Sequence, residues 1–262
     1  MTKRLRITVL ALAVALGLAV VLWRADWFDS DEPIGMTQAP CAPEGVPVTR
    51  KREDDWAGLC HYQAHNARIA AEAEQPQAVL IGDSITQAWP GLETHGNAGA
   101  PVNRGIAGQT SAQVLLRFQQ DAIALRPKAI HILVGTNDVA GVTGPNSPAM
   151  YQANIRAMVD MARAKGIPVI LGTIPPAESY PWEPGLSPGN WVQVLNRWIR
   201  DFASERGLIL ADYYSVLSTQ DGGIDPELYG DGVHPNLQGY AAMQAVLDEA
   251  LASPEIGAAA SR

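Results

Sequence analysis

From residue 77 onward the chain repeats one pattern: a short apolar, β-favouring run, a polar turn, and a longer stretch with helical periodicity. The runs fall at 78–81, 101–103, 129–134, 167–171 and 208–210, and the helical stretches at 111–125, 148–165, 190–206 and 236–251. Strands that are apolar throughout, rather than on alternate residues, bury both faces. Only helices packed on both sides of a parallel sheet satisfy that requirement. With right-handed crossovers the pattern predicts an α/β fold, a flavodoxin-like three-layer α/β/α sandwich with a five-stranded parallel sheet, over residues 77–253.

The segments before and after this domain carry different signals. Residues 7–23 are an unbroken uncharged run, preceded by Lys3, Arg4 and Arg6 and followed, after Arg24, by Asp26, Asp29, Asp31 and Glu32. Positive charge on the N-terminal side orients the rest of the protein away from the cytoplasm. A run of this length reaches about 26 Å, near the lower limit for crossing a hydrocarbon core. Residues 1–24 therefore read as a membrane anchor or a signal peptide, with the anchor favoured because apolar Val20 to Trp23 continue past the small residues Gly17 and Ala19. Residues 25–53, with Pro33, Pro40, Pro43 and Pro47, read as a spacer. Residues 54–76 read as a leading helix and 254–262 as a flexible tail. The protein is expected to be exported, on the periplasmic or extracellular face, with its N-terminal segment as its membrane contact.

Of the 262 residues, 19 are Lys or Arg and 27 are Asp or Glu, a net charge of −8. That is the wrong sign for tracking a phosphate backbone, so nucleic acid is not an expected partner. Composition is silent on oligomeric state. Cys41 and Cys60 are an even pair, and export would place them where a disulfide forms, although sequence leaves two unpaired thiols equally open. Cys60, His61 and His65 lack a fourth ligand, and no metal is expected there.

In an open parallel sheet, ligands bind beyond the carboxyl ends of the strands. The first three strands end in Gly82-Asp83-Ser84-Ile85-Thr86, Asn103-Arg104-Gly105-Ile106 and Gly135-Thr136-Asn137-Asp138. With the common strand order 2-1-3-4-5 these three ends are neighbours. A hydroxyl, a glycine N–H and a carboxamide brought together suit acyl transfer, which needs a nucleophile and donors for a developing oxyanion. The base is sought among five histidines. His131 lies inside an apolar strand and reads as core, while His61, His65 and His95 sit in weakly patterned segments. His234 stands in Asp231-Gly232-Val233-His234-Pro235, a turn ahead of the last helix, with Asp231 placed to orient its ring.

These four blocks, in this order and spacing, resemble the SGNH (GDSL-type) hydrolases over about residues 78–251, with Ile85 in place of the leucine of the GDSL name. The resemblance implies Ser84 as nucleophile, His234 as general base and then acid, and Asp231 as its partner. It further implies an oxyanion hole made of the backbone N–H groups of Ser84 and Gly105 and the side-chain amide of Asn137, with no cofactor. Taken singly, the same residues also read as caps and turns: Ser84 and Asn137 as helix caps, Gly105 and Asp231-Gly232 as turn formers. Ser84 lacks a Gly-x-Ser-x-Gly setting, which separates it from the ordinary α/β-hydrolase elbow. Trp89, Trp182 and Trp191 are candidates for a substrate wall, the latter two in or beside a proline-rich loop at 175–190. The expected activity is a serine esterase acting on short acyl groups. The alternatives are a lysophospholipase or thioesterase, or a non-catalytic envelope carbohydrate-binding protein on the same fold.

Overall fold

The computed structural model describes Cys41 and residues 55–71, 75–94 and 99–260. The expected anchor or signal peptide at 1–24 and, apart from Cys41, the spacer at 25–53 lie outside the described residues. Among the described residues, no helix is long and apolar enough to cross a membrane.

In chain order the elements are α1 (Gln63–Ala71), β1 (Val79–Gly82), α2 (Ser84–Gln87), β2 (Val102–Gly105), α3 (Ser111–Asp121), β3 (Ile130–Leu133), α4 (Thr136–Ala140) and α5 (Pro148–Arg163). They continue with β4 (Val169–Gly172), α6 (Gly189–Arg206), β5 (Ile209–Ala211), α7 (Tyr213–Leu217), α8 (Leu237–Leu251) and α9 (Pro254–Ala260). The five strands form one parallel sheet in the order β2-β1-β3-β4-β5. Gly82 at the end of β1 pairs with Gly105 on one side and Leu133 on the other, so the first three strands end level. The α/β sandwich expected from the alternation of runs is the observed fold.

Side chains of successive strand residues serve opposite faces. Val79, Ile81, Ile130, Ile132, Val169 and Leu171 pack with Val114, Phe118, Ile155, Ile199 and Phe202 from α3, α5 and α6. Leu80, Leu133 and Ile170 belong to a second cluster with Met243 and Leu247 of α8. All four residues in each of β1 to β4 are buried, which is why these strands show no polar alternation.

Three boundaries differ from expectation for local reasons. The leading helix begins only at Gln63, because the Asp55 carboxylate accepts the N–H groups of Leu59 and Cys60 and holds a turn around Gly58. The helix expected over 111–125 ends at Asp121 and is followed by a 3₁₀ turn, Ile123–Leu125, closed by Arg126 in the left-handed conformation at φ 52°. The tail at 254–262 is corrected in part: Pro254 starts α9, whose Ile256 is buried in the α8-side core.

The segment before the sheet is a strap laid along β2 and α3. Side chains of the domain hold its backbone, with Gln109 Nε2 donating to Ala57 O at 2.7 Å, Gln113 Nε2 to Trp56 O at 2.6 Å and Gln120 Nε2 to Leu59 O at 2.5 Å. The Tyr62 hydroxyl donates to the carbonyl of Gly105, and Arg104 lies over the Tyr62 ring. Cys41 is bonded to Cys60 at the start of this strap, with their Cα atoms 5.4 Å apart.

Candidate active site

Ser84 is the first residue of α2, directly beyond β1. Asp83 caps that helix by accepting the Ile85 N–H at 3.0 Å. The sharp passage from strand to helix needs room for backbone packing. A Cβ on Gly82 would fall 2.0 Å from Leu133 O, so only glycine fits the position. The N–H of Ser84, in the first turn, has no acceptor among the described residues, as expected of a helix start.

His234 comes from the far end of the chain and meets Ser84 across 150 residues, its Nε2 2.9 Å from Ser84 Oγ. On the other side of the ring Nδ1 lies 2.8 Å from Asp231 Oδ2. The same carboxylate accepts the backbone N–H groups of His234 at 2.7 Å and Val233 at 3.0 Å. Partial burial opposes ionisation of Asp231, but these donors and the imidazole hold its carboxyl below the usual range. Behind the turn, the Asn236 carboxamide caps α8 through Gln238 N and Gly239 N and ties back to Glu227 O, which fixes the loop carrying His234.

Asn137 lies at the start of α4, beyond β3. Its Nδ2 donates to Gln109 O at 3.0 Å. That bond uses one amide hydrogen and orients the group, leaving the second hydrogen for a ligand. Asp138 is turned inward instead, accepting Ser111 N at 2.8 Å and Asn146 Nδ2 at 2.8 Å.

Gly105, expected as a backbone donor beside Ser84, has its N–H engaged elsewhere. Its N–H is taken by Asn103 Oδ1 at 2.8 Å, and a Cβ there would sit 2.1 Å from Gln87 N. Its glycine identity is explained by close packing of β2 against α2. The loop beyond β2 presents Gly108 instead, in the left-handed region at φ 76°, with no acceptor for its N–H among the described residues and adjacent to the Gln109 peptide that holds Asn137. A glycine three residues after Gly105, just ahead of the Thr110 cap of α3, was the available sign.

The tryptophans divide. Trp89 is corrected to a core residue: it is 3% exposed, its indole N–H donates to Gln244 Oε1 at 2.7 Å, and its ring packs against His131, Tyr213 and Tyr240. Trp182 stays exposed, stacked on buried Tyr180, whose loop is tied to the histidine turn by Glu178 N donating to Gly232 O at 3.1 Å. Trp191 is exposed and lines an open cleft of about 330 Å³ with Asp138, Val139, Tyr151 and Leu195, and none of Ser84, Asn137 or His234 is among the residues that line it. His131 is fully buried against the Tyr213 hydroxyl, and burial lowers its pKa to about 3. Cys60 is engaged in the disulfide, and among the described residues no cluster of three or more His, Cys, Asp or Glu side chains is placed to hold a metal.

Residues 80–242 match the profile of the GDSL-like Lipase/Acylhydrolase family. Esterase TesA of Pseudomonas aeruginosa is 27% identical over 183 residues, 64% of this chain and 84% of that one. An uncharacterized lipoprotein of Bacillus subtilis, YqeF, is 29% identical over 140 residues, 47% of this chain and 58% of its own length. The crystal structure of a putative acylhydrolase from Bacteroides fragilis superposes with a TM-score of 0.69 at 34% identity, covering 77% of this chain and 99% of that one.

Proposed function

The chain belongs to the GDSL-like lipase/acylhydrolase family and is a hydrolase of ester bonds, and on that premise we propose that it works through an acyl-enzyme on Ser84. The carrying observation is the unbroken chain of contacts from Ser84 Oγ to His234 Nε2 and from His234 Nδ1 to Asp231. His234 takes the hydroxyl proton as Ser84 Oγ attacks the ester carbonyl. Asp231 holds the ring in the tautomer whose Nε2 lone pair faces the serine and stabilises the imidazolium that forms. The N–H groups of Ser84 and Gly108 and the free amide hydrogen of Asn137 receive the oxyanion. Collapse expels the alcohol with the proton from His234. Water, deprotonated by the same ring, then releases the acid and restores Ser84.

The histidine and aspartate side chains are 32% and 51% exposed. A site this near the surface suits short acyl groups on bulky alcohols. A second reading, a longer acyl chain, draws on the largely apolar cleft lined by Asp138 and Val139, the residues that follow Asn137 in α4. The basic, then apolar, then acidic N-terminal sequence and the likeness to a lipoprotein support an exported enzyme held at a membrane surface by residues 1–24.

With p-nitrophenyl acetate, Ser84→Ala should lose roughly 10³-fold or more of turnover and all labelling by a fluorophosphonate. Retained turnover in that variant would sink the mechanism. A series of p-nitrophenyl esters from acetate to palmitate separates the two substrate readings: kcat/KM falling with chain length supports the short-acyl assignment, and a rise supports the lipid one.

A further inference from the structure

Behind the proposed oxyanion hole lies a side chain that touches neither nucleophile nor base. Arg117 of α3 and its ion-pair partner Asp121 both have side chains that are 0% exposed. A buried pair of this kind gains little over apolar residues of the same size, because desolvating two charges offsets their attraction. What the pair provides here is a guanidinium fixed in place.

Its donors diverge to three acceptors. Nη1 meets Asp121 Oδ2 at 3.2 Å, Nη2 donates to Gly82 O at 3.0 Å, and Nε donates to Gln109 Oε1 at 2.6 Å. Gly82 is the last residue of β1, two before Ser84, and its carbonyl also accepts the Ile106 N–H at 3.1 Å. Gln109 follows Gly108 directly. Its side chain is clamped at both ends, by Arg117 at Oε1 and by Ala57 O at Nε2, and its own carbonyl receives the Asn137 amide. One planar fork thus joins the strand end that carries Ser84 to the peptide that orients Asn137 and adjoins Gly108. Lysine, with a single nitrogen, has no equivalent geometry.

We propose that Arg117 is a positioning residue for the ester hydrolysis, setting the relative placement of the three oxyanion donors through Gly82 and Gln109. The inference rests on the roles given above to Ser84, Gly108 and Asn137. Because these donors act on charge that develops in the transition state, their misplacement lowers kcat and leaves KM nearly unchanged.

The test uses Arg117→Met combined with Asp121→Asn, which removes the ion pair as a unit and leaves Arg104 as the buried charge of this region, beside Gln109→Met and the triple variant. With p-nitrophenyl acetate each of the first two should lose roughly 10- to 100-fold in kcat, with KM within about threefold of wild type. The rate of fluorophosphonate labelling should fall in parallel. Since both changes break one chain of contacts, their losses should not multiply in the triple variant. Far-UV circular dichroism and thermal denaturation confirm the folded fraction to which rates are normalised. If the double variant folds too poorly to assay, Gln109→Met and Arg117→Lys carry the test. The lysine variant keeps the buried charge, so it should retain the fold and lose kcat. A folded variant with wild-type kcat, a loss confined to KM, or losses that multiply in the triple variant would overturn the proposal. Ser84→Ala separates the two levels: if it abolishes turnover while the Arg117 variants keep theirs, the positioning role alone fails.

Discussion

Asp83 has a carboxyl group that must cap a helix from inside the protein. Burial is the largest influence on it; the Ile85 N–H opposes, Asp138 repels, and the charge of His234 pulls the other way, with the net result a pKa raised to about 7. Between the usual value near 4 and about 7, the folded state holds a proton that the unfolded state has released, so stability falls as pH rises through that window. Asp83→Asn keeps a capping acceptor and removes the titration. Its melting temperature relative to wild type should therefore climb between pH 4 and 7.5, and parallel curves for the two proteins would refute the assignment. Asn137→Ala should cost roughly 10²–10³ in turnover. Gly108→Ala forces a Cβ into the left-handed region at a cost of about 1–2 kcal/mol, and shifts a donor as it does so. Its kcat should fall well beyond what its small loss of melting temperature explains. Ser84, Asn137, Asp231 and His234 were legible because each block stands at a strand or helix end with its own chemistry. Gly105 was misread because sequence cannot distinguish a glycine required by packing from one that offers its N–H. Gln109 and Arg117 gave no sign at all, since their importance lies in what they touch across the fold.

The long helices were readable from period and punctuation. Ser147 and Pro148 mark the start of α5, and Asn236 marks that of α8. The short helices α2, α4 and α7 escaped because four or five residues are too few to show a helical period, although two of them carry Ser84 and Asn137. Removing the cap of α8 with Asn236→Ala should cost about 1 kcal/mol. It should also reduce kcat, because the same side chain steadies the turn two residues after His234, and chemical denaturation alongside kinetics separates the two effects. The strap illustrates the opposite limit of legibility. Nothing in its composition said that Tyr62 would reach Gly105 or that three glutamines would hold its backbone. The disulfide closes a loop between cysteines 19 residues apart, for which chain entropy gives about 3 kcal/mol. Cys41→Ser with Cys60→Ser should lower the denaturation midpoint accordingly, and dithiothreitol should do the same to the wild type but not to that variant.

At the scale of the molecule, the strand order 2-1-3-4-5 was open to prediction because buried strands joined by helices leave few alternatives, and it is this order that brings three polar turns together. The net charge of −8, with Asp231 and Glu178 beside the histidine turn, sets a repulsive field for anionic substrates. Raising salt should therefore raise kcat/KM for a negatively charged aryl ester and leave a neutral one unchanged. A further consequence follows from the 150 residues that separate Ser84 from His234. As the chain emerges from N to C terminus, the serine, the glycine loop and the asparagine are all available long before the ring that activates them. Hydrolytic competence arrives only when residues 231–234 have been released and their turn has packed beside Ser84. Sequence separation thus works as a timer, keeping the nucleophile silent until the ring that activates it has been made and placed.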